Sequence, residues 1–211
     1  MLSHAIDAAD FDKLDPADFA AEWKWDGIRV QAVSERGVSR LYTRTGDDIS
    51  AAFPDLVDAV GFEGALDGEL LVARPDGEAI ATGSFSELQQ RLNRKTVSAR
   101  QLRDYPAFFR AYDLLQQGAE DLRARPFVER RERLEEFVSK LDPARFDCSA
   151  MLEFESWDRL AALREAPPLQ VIEGVMIKRK AAPYVPGRPK GEWFKWKRDP
   201  FLIDAVLLYA Q

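Results

Sequence analysis

Two apolar stretches of this chain, Leu66-Asp67-Gly68-Glu69-Leu70 and Glu173-Gly174-Val175-Met176-Ile177-Lys178, each set an acid beside a glycine. No other feature restricts the fold as much. A carboxylate on an apolar strand is costly to bury unpaired, so a fold built from these strands must bring cations or a polar cleft to the acids. A third stretch supplies a candidate cation. In Glu22-Trp23-Lys24-Trp25-Asp26-Gly27-Ile28-Arg29 a lysine stands between two tryptophans at the end of an apolar run. Strand side chains alternate, which puts Lys24 and Asp26 on one face.

Rare residues exclude most other chemistries. The 211 residues hold one histidine, His4, and one cysteine, Cys148, so a two-histidine zinc site and an internal disulfide are not available within this sequence, and a serine–histidine triad would have to be built on His4, near the terminus. Cys148 reads as a small core residue. Carboxylates, lysines, arginines and hydroxyls are left to do the work. The only long apolar run, Phe201 to Ala210, is short for a membrane span and carries Asp204, and the composition suits a reducing cytoplasm.

Charge is unevenly spread. The chain has a net charge of −6, yet eight basic residues between Gly174 and Arg198 face Glu192 alone, leaving 22 basic and 35 acidic residues elsewhere. A local anionic partner fits this asymmetry better than general polyanion binding, with a solvated basic face as the plainer alternative. Trp193, Phe194 and Trp196 alternate with Lys195 and Lys197, so both lysines point to one face of a strand.

The patterning predicts an α+β domain of antiparallel sheets flanked by helices. Strands are expected over 20–33 (interrupted at Gly27), 38–43, 65–73, 107–115, 146–154, 171–179 and 192–197, with a turn at Arg74-Pro75-Asp76-Gly77. Helices are expected over 54–60, 84–92, 98–105, 126–140 and 157–165, the fourth having proline in its first turn and charges opposite its apolar side. Glycine-rich Rossmann and P-loop fingerprints are absent.

Chemically, aromatic walls and neighbouring cations would depress the basicity of Lys24, as a nucleophilic lysine requires. Two carboxylates converging with a lysine suit magnesium and phosphate. Ammonium groups at Lys195 and Lys197 would neutralise a triphosphate.

Lys24-Trp25-Asp26-Gly27-Ile28-Arg29, Asp67-Gly68-Glu69, Tyr112-Asp113-Leu114, Glu173-Gly174-Val175-Met176-Ile177-Lys178 and Phe194-Lys195-Trp196-Lys197 occur in the order of the nucleotidyltransferase motifs of ATP-dependent DNA ligases. Essentially the whole chain resembles the adenylation domain of the bacterial enzymes of that family. The resemblance implies the ATP-grasp-like fold of covalent nucleotidyltransferases over 1–199, with 200–211 opening an OB-fold domain. It implies that Lys24 attacks the α-phosphate of ATP to form a lysyl-AMP, later passed to the 5′-phosphate of a DNA nick for sealing by the 3′-hydroxyl. Glu22 would meet the adenine amino group. Arg29 and Arg44 would contact ribose and phosphate, Glu69 the ribose or Mg2+, and Glu173 Mg2+. Tyr112, where the family usually has phenylalanine, would stack on adenine opposite Met176, and Lys178, Lys195 and Lys197 would touch phosphates.

Implied partners are nicked double-stranded DNA and, in the same parent chain, an OB-fold domain and an N-terminal DNA-binding domain. A cytoplasmic bacterial setting and a monomeric fragment that adenylates slowly alone are further expectations. A GTP-using capping enzyme, an RNA ligase and a non-catalytic nucleic-acid-binding module are the competing readings, the RNA ligase being the nearest.

Overall fold

The computed structural model describes residues 1–76, 79–92, 94 and 96–199. The expected OB-fold opening at 200–211 lies outside the described residues. Strands β1 (His4–Ala5), β2 (Phe19–Trp25), β3 (Ile28–Glu35), β4 (Val38–Thr43), β5 (Gly64–Asp76), β6 (Ala79–Thr82), β7 (Ala107–Gln117), β8 (Glu120–Asp121), β9 (Phe146–Cys148), β10 (Met151–Leu152), β11 (Ile172–Arg179) and β12 (Trp193–Lys197) form two sheets. Helices α1 (Ala8–Phe11), α2 (Pro54–Val57), α3 (Phe85–Gln89), α4 (Ala99–Asp104), α5 (Phe127–Val138) and α6 (Trp157–Glu165) pack around them. One sheet runs β1-β12-β11-β2-β10; the other runs β4-β3-β5-β7-β8, with β6 on β5 and β9 on β7. Pairing is antiparallel except for β1 with β12 and β7 with β9, as the α+β expectation required.

The run 20–33 is two strands in different sheets. Asp26-Gly27 carries the chain across, and a Cβ on Gly27 would lie 2.5 Å from the Leu70 carbonyl oxygen and 2.8 Å from Glu69 Cγ. Only glycine lets the crossing pass so close to β5. The nucleophile candidate Lys24 is the next-to-last residue of β2, directly before this crossing. Likewise 146–154 is divided: β9 joins β7 in the larger sheet and β10 joins β2 in the smaller. Buried Ser149 bridges the gap, its hydroxyl accepting the Trp25 indole N–H at 3.1 Å and its carbonyl accepting Arg131 at 2.6 Å. Strand β5 runs on to Asp76, through most of the expected turn, because β6 pairs with it from Ala73 onward.

One apolar core lies beneath the larger sheet, where Val30, Leu66, Leu70, Phe109 and Leu114 meet Phe53, Leu56 and Leu134. A second joins the smaller sheet to α6 through Phe19, Trp23, Trp25, Val175, Ile177, Phe194 and Leu160. Helix α5 buries Phe127, Leu134 and Val138 as its spacing predicts, but it also buries Arg130 and Arg131. Arg130 gives two hydrogen bonds to fully buried Asp113 of β7, at 2.8 and 2.9 Å, and one to the Ala182 carbonyl at 3.0 Å. This clamp fixes the helix against the strand that carries Tyr112.

Candidate active site

A cavity of about 540 Å³ opens between the two sheets. Its walls come from β2 (Glu22, Lys24), β3 (Arg29), β5 (Glu69), β7 (Tyr112), β11 (Glu173, Met176, Lys178) and β12 (Lys195, Lys197), with Arg44 at the rim. Every site residue picked out in the sequence therefore lines one space. Strand register explains how. Gly174 of β11 stands between Lys24 of β2 and Lys197 of β12, and Met176 between Glu22 and Lys195. Neighbouring side chains on one face of a sheet meet laterally, so two strand pairings bring together residues about 150 positions apart.

At one end Glu173 is shared by two lysines. Its Oε1 pairs with Lys24 Nζ, and its Oε2 accepts from Lys197 Nζ at 2.6 Å. Burial works to raise the Glu173 carboxyl, but the bonds from Lys197 and Lys24 prevail and hold it below the ordinary range. Glu69 is treated differently. It has no hydrogen bond or ion pair among the described residues, and burial, against the attraction of Lys24 and Arg29, pushes its carboxyl up to about 8. Lys195 faces the cavity with no ion-pair partner among the described residues.

At the other end Glu22 is almost completely buried, and its carboxylate pairs with Lys178 Nζ and lies 3.7 Å from Arg131 Nη1. Burial pushes the Tyr112 phenol well above its ordinary range, so the ring stays neutral.

Three placements bear on these expectations. The rings of Trp23 and Trp25 lie in the second core, on the opposite face of β2 from Lys24. Strand alternation that points the lysine into the cleft necessarily points both indoles out of it, so they do not form a dry sleeve; Trp25 instead stacks on Arg110, 4.0 Å from its guanidinium carbon. A neighbouring cation is present, supplied by Lys197 across Glu173. Second, the Lys178 ammonium is buried and pairs with Glu22, while Lys24 and Lys197 pair with Glu173. Third, the Arg29 guanidinium is largely engaged inside the protein: Nε and Nη2 donate to Asp67 at 3.1 and 2.6 Å, Nη1 to the Met1 carbonyl at 2.7 Å, and Nη2 also to the Tyr184 hydroxyl at 3.1 Å. It reaches a ligand as a fixed wall and not as a free arm.

A family model for the ATP dependent DNA ligase domain matches residues 1–197. The chain belongs to the ATP-dependent DNA ligase domain family. It is 35% identical over 210 residues to a probable DNA ligase of Koribacter versatilis, covering 88% of this chain and 36% of that protein. It is 32% identical to a DNA ligase of Halorubrum lacusprofundi, covering 92% of this chain and 34% of that one. The chain thus spans about a third of the length of these curated relatives. Among solved structures, a mycobacterial DNA ligase D complexed with ATP and MES superposes with a TM-score of 0.70 at 28% identity, covering 93% of this chain and 59% of that one. The two-sheet architecture of this ligase domain is accordingly that of DNA-ligase nucleotidyltransferase domains. No helix among its described residues is long and apolar enough to cross a membrane.

Residues to which the sequence assigns no site role also build the site. Asp67, fully buried, receives Arg29 and the Tyr184 hydroxyl, the latter at 2.7 Å. Burial alone would raise its carboxyl, but the charge and bonds of Arg29, with Tyr184, hold it below the usual range. The sequence marks Asp67 as a carboxylate on an apolar strand that demands a partner, and the partners are Arg29 and Tyr184. Tyr184 and Arg131 lie in segments with no local pattern that marks them, and only the fold brings them to the site.

Proposed function

We propose that this ligase domain is the adenylation core of an ATP-dependent DNA ligase, in which Lys24 Nζ attacks the α-phosphate of ATP, expels pyrophosphate and carries AMP as a phosphoramidate. The observation that carries the reading is the Lys24–Glu173–Lys197 cluster lining a cavity that also holds Glu22, Tyr112 and Met176. Attack requires the free amine, so the pairing with Glu173 describes the resting site. Lys195 and Lys197 neutralise charge developing on the phosphates, while Arg29 and exposed Arg44 meet ribose and phosphate from the β3–β4 side. Tyr112 and Met176 enclose the base, with Glu22 accepting from its amino group.

The donor set suits Mg2+. Glu69 and Glu173 are hard oxygen donors on one cavity, and Glu69 has no protein partner among the described residues. Magnesium is typically held by one or two carboxylates with water and substrate phosphates completing its shell. These two residues would hold the ion, which would supply charge neutralisation to the triphosphate. Nicked double-stranded DNA is the proposed acceptor of AMP, its 5′-phosphate taking the adenylate and its 3′-hydroxyl displacing it. An OB-fold domain and an N-terminal DNA-binding domain of the same parent chain are the proposed partners, in a bacterial cytoplasm.

Intact mass after incubation with ATP and magnesium tests the core of this reading. The wild-type chain should gain one adenylate and Lys24→Ala none. Equal labelling of both, or labelling by GTP in preference to ATP, would overturn it.

A further inference from the structure

We propose that Lys178 is a positioning residue that sets nucleobase preference by holding the Glu22 carboxylate as a fixed hydrogen-bond acceptor, and that it does not touch the triphosphate. The inference deepens the adenylation reading and rests on it.

Lys178 and Glu22 are each 2% exposed in their side chains, and the two form an ion pair. The register places Met176 beside Glu22 and Lys178 beside Ala20, so Lys178 reaches Glu22 diagonally along the shared face of β11 and β2. Its ammonium is enclosed by three rings, with centroids at 4.7 Å for Tyr112, 4.9 Å for Phe127 and 4.4 Å for Trp193, and it lies 3.4 Å from the Tyr112 carbonyl oxygen. A cation packed among three rings has a defined position. Its polar partners are the Tyr112 carbonyl oxygen and the Glu22 carboxylate. Phosphate-facing cations in the same cavity look different: Lys24 is paired at the surface of Glu173, Lys197 is half exposed there, and Lys195 is unpaired among the described residues.

Glu22 is itself unfinished. It is 1% exposed and lines the cavity; its Oε1 lies against the Lys178 ammonium, its Oε2 has only Arg131 Nη1 at 3.7 Å, and neither oxygen receives a hydrogen bond of good geometry. Such a group is completed by a ligand donor. An ionised carboxylate only accepts. It therefore matches a purine with an amino group at the facing position, and it opposes one with a carbonyl there, since two acceptors would meet without a proton between them. Hypoxanthine has a carbonyl in place of that amino group, and a proton on the adjacent N1 where adenine has an acceptor. A variant without the Lys178 ammonium leaves Glu22 with Arg131 alone, at 3.7 Å, and the carboxylate then swings toward that side. That turn takes away the aimed acceptor on which discrimination depends.

The test compares ATP with inosine triphosphate, which carries the same triphosphate, in equilibrium binding and in the rate of adenylation. Lys178→Met should weaken ATP through KM more than kcat, leave inosine triphosphate nearly unchanged, and lower the ATP preference by about tenfold or more, the scale of a lost hydrogen-bond match in a buried site. Lys178→Arg should restore most of the preference. Adding Lys178→Met to Glu22→Gln should cost no further preference. Lys178→Gln replaces Lys178→Met if the latter does not fold. A proportional loss for both nucleotides, with the ratio unchanged, is the signature of a phosphate contact and would overturn the proposal. A wild-type chain that prefers neither nucleotide overturns the inference while leaving adenylation itself standing. One that takes up neither overturns both.

Discussion

Asp113→Ala isolates a guanidinium that the fold has sealed from water. Arg130 and Asp113 are both 0% exposed, and Asp113 accepts the two charge-assisted bonds from Arg130 Nε and Nη2 at 2.8 and 2.9 Å. After the substitution Arg130 keeps only the carbonyls of Arg125 and Ala182. Removing one partner of a buried pair typically costs about 3–5 kcal/mol, because the surviving charge stays buried without compensation. For a chain of this size each kcal/mol lowers Tm by roughly 2–4 °C, so a drop of about 6–20 °C is expected in a thermal melt followed by circular dichroism. The double variant Asp113→Leu with Arg130→Met removes both charges, and should recover more than half of that loss, since apolar replacement of a buried pair is often neutral. The site should also suffer: Asp113 follows Tyr112, and the Ala182 carbonyl held by Arg130 lies two residues before Tyr184, so ATP binding should weaken in the single variant even well below its melting point. A single-variant loss under about 1 kcal/mol, or a double variant less stable than the single, would refute the reasoning.

Asp55 gives a prediction in pH. Burial favours its neutral form, but the bonds from Arg91 and the Ala107 amide, with the charge of Arg145, hold its carboxyl below the ordinary value. A depressed acid contributes stability that is present above its unfolded pKa of about 3.9 and lost as pH falls through the lower folded value. Asp55→Asn should therefore lower Tm at pH 7 and narrow its gap to the wild type toward pH 3; a gap that does not change with pH would count against this. Gly174 has φ of 152°, and a Cβ there would stand 2.2 Å from the Trp196 carbonyl oxygen. Backbone in that region with such a clash costs on the order of 1–3 kcal/mol, so Gly174→Ala should loosen the β11–β12 pairing and slow adenylation by displacing Glu173 from Lys197; unchanged melting and labelling would refute it.

Much of this protein was legible in its order of residues because strands read as alternation and helices as spacing. Helix α5 was placed within a residue or two at each end, from its proline and its apolar side. The separate acids, Lys24, and the aromatic–lysine alternation of β12 each demanded a partner, and together they pointed to one anionic ligand. What alternation could not reveal is which strand lies beside which. That Glu173 divides itself between Lys24 and Lys197, and that Lys178 turns inward to Glu22, both follow from the register of β2, β11 and β12. Charge determines that a buried group must have a partner; only tertiary pairing, which acts between residues far apart in the chain, decides which one it is.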